Sequence, residues 1–195
     1  KLKLGAFQTR NIPHLGHEKI IQMLLGNCDI VFINPVIGPK KKGDVKSKTL
    51  MKLYDFLNKK YYNNKLIFSP VCANMFYAGP REAIHHSIIR SNLGFDYFVV
   101  GRDHAGALDF YPPFKAIKYI KKYCNKLKIN VLTHYGAYYS KKYKKFIILH
   151  NNNKNDLINI KGTDFRKSIL KRKIFKFARK DLQKYLFDLG ESFFY

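Results

Sequence analysis

Short apolar runs alternate with amphipathic stretches along the first two thirds of the chain. Leu2 to Phe7 reads as a strand and leads into a polar loop, after which Ile20, Ile21, Leu24 and Leu25 recur at the spacing of one helix face. Ile30 to Ile33 is a second strand. A loop rich in Gly, Pro and Lys follows from Pro35 to Lys46, then a helix whose Leu50, Leu53, Tyr54 and Leu57 form one stripe. Leu66 to Phe68 gives a third strand. Pro80 suits a first helical turn, where its missing N–H costs nothing, and the helix it opens is expected to stop near Gly94. Tyr97 to Val100 reads as a buried fourth strand. Ile117, Ile120, Cys124 and Leu127 line one face of the next helix, with lysines 115, 118, 121 and 122 opposite, and Ile129 to Leu132 closes a fifth strand.

Strands alternating with helices of this length predict an α/β domain, a Rossmann-like parallel sheet with helices on both faces. Ligands of such sheets bind at the carboxyl ends of the strands, so chemistry belongs in the loops after strands one and four. The last third is less regular. Phe146 to Leu149 is a strand candidate, Asn151 to Asn155 a turn or loop, and Gly162 to Arg166 opens a basic helix with Asp164 in its first turn. Residues 1–135 are expected to form the main α/β domain and 136–195 a small α-rich subdomain of the same unit. No internal repeat or long linker divides the chain.

Composition narrows the function classes. With 195 residues, 46% of them hydrophobic, the chain can bury the core of one domain. It carries 37 Lys and Arg against 13 Asp and Glu, a net charge of +24. Charge of that size suits a polyanion, an anionic substrate or biased codon usage. The lysines are spread over many faces and accompany abundant Asn, Tyr, Phe and Ile, as in A+T-rich genes, which argues against nucleic acid as the partner. No run approaches the roughly 18 apolar residues of a membrane span, and the start is too short for a signal-peptide core. Cys28, Cys72 and Cys124 lie far apart with no CxxC, against a disulfide framework and against structural zinc. A soluble, cytoplasmic protein without membrane association is the expectation.

Four segments carry candidate chemistry. Gln8-Thr9-Arg10-Asn11-Ile12-Pro13-His14-Leu15-Gly16-His17 packs amides, a hydroxyl, a guanidinium and two imidazoles between a strand end and a helix start. A helix amino terminus already favours anions, and Gly16 lets a phosphate approach the backbone. The same His14 and His17 spacing also suits two ligands of one cation. The second segment is Gly101-Arg102-Asp103-His104-Ala105-Gly106 after strand four. The third, before it, is Asn74 to Ala83 with Tyr77-Ala78-Gly79-Pro80-Arg81-Glu82, and the fourth is Ile160-Lys161-Gly162-Thr163-Asp164-Phe165-Arg166. Taken singly each could be a turn, a loop salt bridge or a helix cap.

In this order they resemble the ATP sulfurylase, or sulfate adenylyltransferase, family of the His-x-Gly-His nucleotidylyltransferase superfamily. The matches are its Gln-Thr-Arg-Asn and His-x-x-His loop, its Tyr-Ala-Gly-Pro-Arg-Glu-Ala segment, its Gly-Arg-Asp-His-Ala-Gly loop and its Ser-Gly-Thr-x-x-Arg region. The resemblance implies transfer of AMP from ATP to sulfate by direct in-line attack, giving adenosine 5′-phosphosulfate and pyrophosphate, with Mg2+ carried on the ATP. It implies Gln8, Arg10 and the Ala105 backbone at sulfate, and Thr9, Arg10, Asn11, His14 and His17 as catalytic. Gly16, Gly101, Arg102, Asp103, His104, Gly162, Thr163 and Arg166 join Gln8, Thr9, Arg10, Asn11, His14 and His17 around ATP. A homo-oligomer is implied, no zinc is expected, and the amino-terminal PUA-like domain of the family is absent from this sequence.

The departures are small near the first loop. The family's Asn-Pro-x-His is Asn11-Ile12-Pro13-His14, Lys161 replaces a Ser, and Asn34-Pro35 stands for His-Pro, followed by Gly38, Lys40 to Lys42 and Asp44. His85 and His86 read as ordinary packing or solvent contact, and Lys141 to Lys145 and Lys171 to Lys176 as solvated faces. The tail Phe193-Phe194-Tyr195 reads either as a docking surface or as a last turn packed on the sheet. Two other functions stay open: the same phosphate chemistry with a phosphorylated small-molecule acceptor, or a non-catalytic basic module binding a polyanion. The Gln-Thr-Arg-Asn and Gly-Arg-Asp-His-Ala-Gly pair speaks against the first, and the intact core set against the second.

Overall fold

The computed structural model describes residues 1–37, 43–102, 104, 111–151, 156–190 and 192–195. Its main sheet joins β1 (Leu4–Phe7), β2 (Ile30–Ile33), β4 (Leu66–Phe68), β6 (Tyr97–Val100) and β7 (Asn130–Thr133) in the order β4-β2-β1-β6-β7, with every pairing parallel. These are the five expected strands, within two residues at each end. The order reverses between β1 and β6, so the loops that follow these two central strands face one another across the crevice.

Side-chain alternation along each strand divides the core in two. Phe7, Val31, Ile33 and Val99 face α1 (Leu15–Leu25) and α2 (Ser47–Tyr61), while Ala6, Phe98 and Val100 face α3 (Pro80–Asn92) and α4 (Lys115–Tyr123). Helices therefore cover both faces, which explains why the central strands read as unbroken apolar runs. Leu50, Leu53, Tyr54 and Leu57 of α2 are all buried, as their stripe requires. α4 is shorter than its pattern. After Tyr123 the chain tightens into a 3₁₀ turn, Cys124–Lys126, whose larger angular step per residue breaks the α-helical stripe, and Cys124 is exposed rather than on the apolar face.

Two further sheets surround this frame. β3 (Val36–Ile37) and β5 (Val71–Cys72) extend the β2 and β4 sides as a short parallel pair. In the last third, β8 (Ala137–Ser140) pairs antiparallel with both β9 (Lys145–Ile148) and β10 (Leu157–Asn159), and β8 and β9 pack on α1. This region, expected to be α-rich, holds that sheet beside α5 (Gly162–Leu170) and α6 (Lys180–Asp188). A buried carboxylate joins it to α1: Glu18, 2% exposed, accepts from Arg179 Nε at 2.8 and 2.9 Å and from Tyr62 Oη at 3.1 Å.

The tail is neither free nor helical. Phe193 to Tyr195 runs antiparallel to Gly43 to Lys46, with N–H groups of Gly43 and Lys46 donating to the carbonyls of Tyr195 and Phe193, and Tyr195 N–H donating to Asp44. Phe193 and Phe194 pack against the core between the sheet and α2. Among the described residues no helix is long and apolar enough to cross a membrane.

Candidate active site

The first loop is folded by its own side chains. Thr9 is buried, and its Oγ1 accepts from the Asn11 N–H at 3.3 Å, tightening the exit from β1. His14 is the N-cap of α1 in extended conformation. Its Nδ1 accepts from Gly16 N–H at 3.1 Å, while His17 Nδ1 accepts from His14 N–H at 3.4 Å. This reciprocal cap uses imidazoles where a Ser and a Glu more often serve. A Cβ on Gly16 would stand 2.8 Å from His14 Cε1, so only glycine leaves room for the capping ring.

The capping bonds decide what the two rings offer. Because each Nδ1 accepts, the hydrogen of each neutral ring resides on Nε2. Burial lowers His14 to about 4, and burial, then His14 and His134, hold His17 well below the usual 6.5. With ring centroids 3.9 Å apart, two charged imidazoles would repel strongly. At neutral pH the pair therefore presents N–H donors at a helix amino terminus, not two cations.

The other segments converge here. A Cβ placed on Gly162 would lie 3.6 Å from Asn11 Oδ1, and the ring of Phe165 is 6.4 Å from that of His14, so the amino terminus of α5 stands beside that of α1. Lys161 caps α5 without a side-chain hydrogen bond, which leaves the N–H groups around Gly162 and Thr163 for a ligand. Arg166 Nη1 donates to the Gly43 carbonyl at 3.4 Å. Arg10 is exposed and lies 3.9 Å from Asp44, and Gln8 Oε1 is buried without a hydrogen-bond partner among the described residues. Across the crevice, Arg102 Nη1 donates to Tyr138 Oη at 3.0 Å, which ties the loop after β6 to β8.

Asp103 and Ala105 lie outside the described residues, as do Gly38 and Lys40 to Lys42. His104 is described: its Nε2 is 3.0 Å from Nδ1 of His86, and burial, then His86, Arg90 and His134, lower it to about 3. His86 is thus packed inside, as expected, but it also reaches a motif residue. A cleft of about 510 Å³ beside α1, lined by residues including Lys19, Lys145, Phe146 and Phe177, contains none of the expected site residues.

Two residues at the same sheet end, His134 and Arg90, escaped the sequence reading, and Asn34 stood in it only as a departure from the family's His-Pro. His134, buried after β7, lies so close to Gly101 that a Cβ there would meet His134 Nε2 at 2.7 Å; its Nδ1 has no partner among the described residues. Burial, then His150 and Arg102, lower it to about 4. Its only available signal was position, directly after a strand's carboxyl end. Arg90, wholly buried, donates to Asn34 Oδ1 at 2.8 Å and to the Asn34 carbonyl at 3.0 Å, with its guanidinium 5.2 Å from the Phe98 ring centroid. Asn34 in turn donates to the Ser69 carbonyl at 2.6 Å, so it joins the ends of β2 and β4 to α3.

Comparison with known proteins agrees with this geometry. The chain is 41% identical over 176 residues to a sulfate adenylyltransferase of Ignicoccus hospitalis, covering 88% of this chain and 45% of that protein. It is 53% identical over 112 residues to one from Thermococcus onnurineus, covering 57% and 30%. The chain thus spans less than half the length of these relatives. A solved structure described as a hexameric APS kinase from Thiobacillus denitrificans shares the fold, with a TM-score of 0.66 at 13% identity over 96% of this chain and 36% of that one. The ATP-sulfurylase family model matches residues 3–181, and the chain belongs to the ATP-sulfurylase family.

Proposed function

We propose that this chain carries the adenylyl-transfer site of a sulfate adenylyltransferase, moving AMP from ATP to sulfate. The supporting observation is the meeting of two helix amino termini, α1 and α5, beside Arg10 and Arg166 and facing the loop of Arg102. Such a site is built for anions.

In the proposed reaction a sulfate oxygen forms a bond to the α-phosphorus while the bond to the bridging oxygen of pyrophosphate breaks. Sulfate is already ionised and needs no general base. The protein's contribution is therefore to hold two anions in line and to stabilise charge at phosphorus. Gln8, Arg10 and the Ala105 backbone are assigned to sulfate, the guanidinium fork suiting a tetrahedral oxyanion. His14 and His17 offer Nε2–H to the α-phosphate, with Asn11 beside them. Thr9 holds the turn that aims them. Gly16, Gly101, Arg102, Asp103, His104, Gly162, Thr163 and Arg166 are assigned to the nucleotide and its phosphates.

Mg2+ would ride on the ATP phosphates, where it usually keeps several waters and takes few carboxylates. Asp44, 3.9 Å from Arg10, is a carboxylate at the site's rim and fits that role. The three cysteines are unpaired and scattered, and supply no zinc site. We read residues 1–135 and 136–195 as one catalytic unit, working in the cytoplasm as a homo-oligomer.

The test is pyrophosphate release from Mg-ATP by the purified chain with and without sulfate. Sulfate-dependent release is expected. A chain that binds ATP yet releases no pyrophosphate on adding sulfate overturns the assignment.

A further inference from the structure

Glu82, His85 and His86 of α3 converge in a way the adenylyl-transfer reading leaves unused. Glu82 precedes the two histidines by three and four residues, the spacing that brings side chains together on a helix. Its Oε1 lies 3.8 Å from His85 Nδ1 and 3.1 Å from His86 Nε2, and the three ligand atoms all lie within 4.8 Å of one another. Both nitrogens are buried, and neither makes a well-aligned hydrogen bond among the described residues. Two buried nitrogens so placed at one carboxylate suit a further partner shared by all three groups.

We propose that Glu82 Oε1, His85 Nδ1 and His86 Nε2 bind one divalent transition-metal ion of the zinc class. One carboxylate and two imidazoles form a borderline donor set for such ions. The outer contacts fit as well. His86 Nδ1 meets His104 Nε2 at 3.0 Å, the second hydrogen bond that fixes a metal-bound imidazole, and Glu82 is anchored by N–H groups of Phe76 and Ala78 at 3.2 and 3.0 Å.

Binding at metal–nitrogen distances of about 2.0–2.1 Å requires the ligand atoms to draw inward. His85 can supply that movement, since its side chain is 37% exposed, and its exposure also gives the ion an entry path. The charged groups facing the site are Glu82 itself and Arg90, whose repulsion the carboxylate offsets. An ion held here would brace α3 against His104 and hence the loop after β6. The expectation of a zinc-free chain rested on the cysteines and does not reach this cluster.

The test titrates the purified chain with Co2+ alone, read by its d–d absorption, with Zn2+ displacement followed by calorimetry. One saturable site is expected, weakened at least about tenfold in His85→Ala. It should be retained in Cys72→Ser/Cys124→Ser and in His17→Ala. Metal-free melting confirms that His85→Ala is folded. No saturable binding, binding that survives His85→Ala, or binding lost with the cysteines or His17 overturns the proposal. Because metal uptake is read directly, either result leaves the sulfate assignment to its own experiment.

Discussion

His14 and His17 cap the same helix for each other: the N–H of His14 donates to His17 Nδ1, and the ring of His14 lies 3.9 Å from that of His17. The first consequence concerns their replacement. His17→Ala should lower turnover about 10²–10³-fold, the cost of one donor aimed at developing charge, with a much smaller loss of ATP affinity. His14→Ala should do the same and also cost about 1 kcal/mol of stability through the lost cap. Single-turnover rates and ATP titration separate the terms. Equal losses in rate and affinity would make these binding residues only.

Arg10 is exposed and contacts Asp44 at the edge of ion-pair distance, so removing it should leave the fold intact. For Arg10→Ala the expected outcome is a sulfate KM raised roughly 10–100-fold, from a lost charge-assisted hydrogen bond of about 1.5–3 kcal/mol. ATP binding should be largely retained. Sulfate dependence indistinguishable from the parent would remove Arg10 from the acceptor site.

Acid should destabilise the chain through its buried imidazoles. His14 and His134 are lowered to about 4 and His104 to about 3, all chiefly by burial, whereas unfolded imidazoles titrate near 6.5. Between these values the unfolded chain binds more protons than the folded one, so stability falls as pH drops from 6.5 towards 4. The ceiling is on the order of 3 kcal/mol for each of the first two residues. Urea unfolding at pH 7, 6 and 5 measures it, and equal stability at pH 7 and 5 would contradict the buried, neutral state of these rings.

Gly101→Ala tests the contact between the loop after β6 and the end of β7. The new Cβ would stand 2.7 Å from His134 Nε2 and 2.8 Å from Cε1, and the expected cost is about 1–3 kcal/mol. In a His134→Ala background the same change should cost far less. Additive losses in the double-mutant cycle would mean that the cost of the new Cβ does not come from the His134 ring.

The frame was legible because it rests on local pattern. Buried parallel strands need apolar runs, and Ile30 to Ile33 and Tyr97 to Val100 show them without ambiguity. Likewise, the four motifs lie at the ends of elements that the periodicity marks. What escaped depends on distant partners. β3 and β5 are two residues each, too short for any period. The bonds of Arg90 to Asn34, 56 residues away, and of Arg179 to Glu18, 161 residues away, leave no local trace. Nor does the fit of the His134 ring against Gly101, which depends on the absence of a side chain.

The pairing of Gly43–Lys46 with Phe193–Tyr195 sets an order of events in biosynthesis. About 150 residues separate Gly43 from Phe193, and at roughly 5–20 residues per second the ribosome needs on the order of 8–30 s to bridge that gap. β1 and β2 precede Gly43, and β4, β6 and β7 all emerge before Phe193, so the sheet can assemble while the segment holding Asp44 still lacks its strand partner. The rim beside Arg10 is then closed after the sheet. Until Tyr195 arrives, the nascent chain carries the assembled sheet with an unfinished rim beside Arg10, and the Gly43–Lys46 segment should gain protection from proteolysis later than the sheet does.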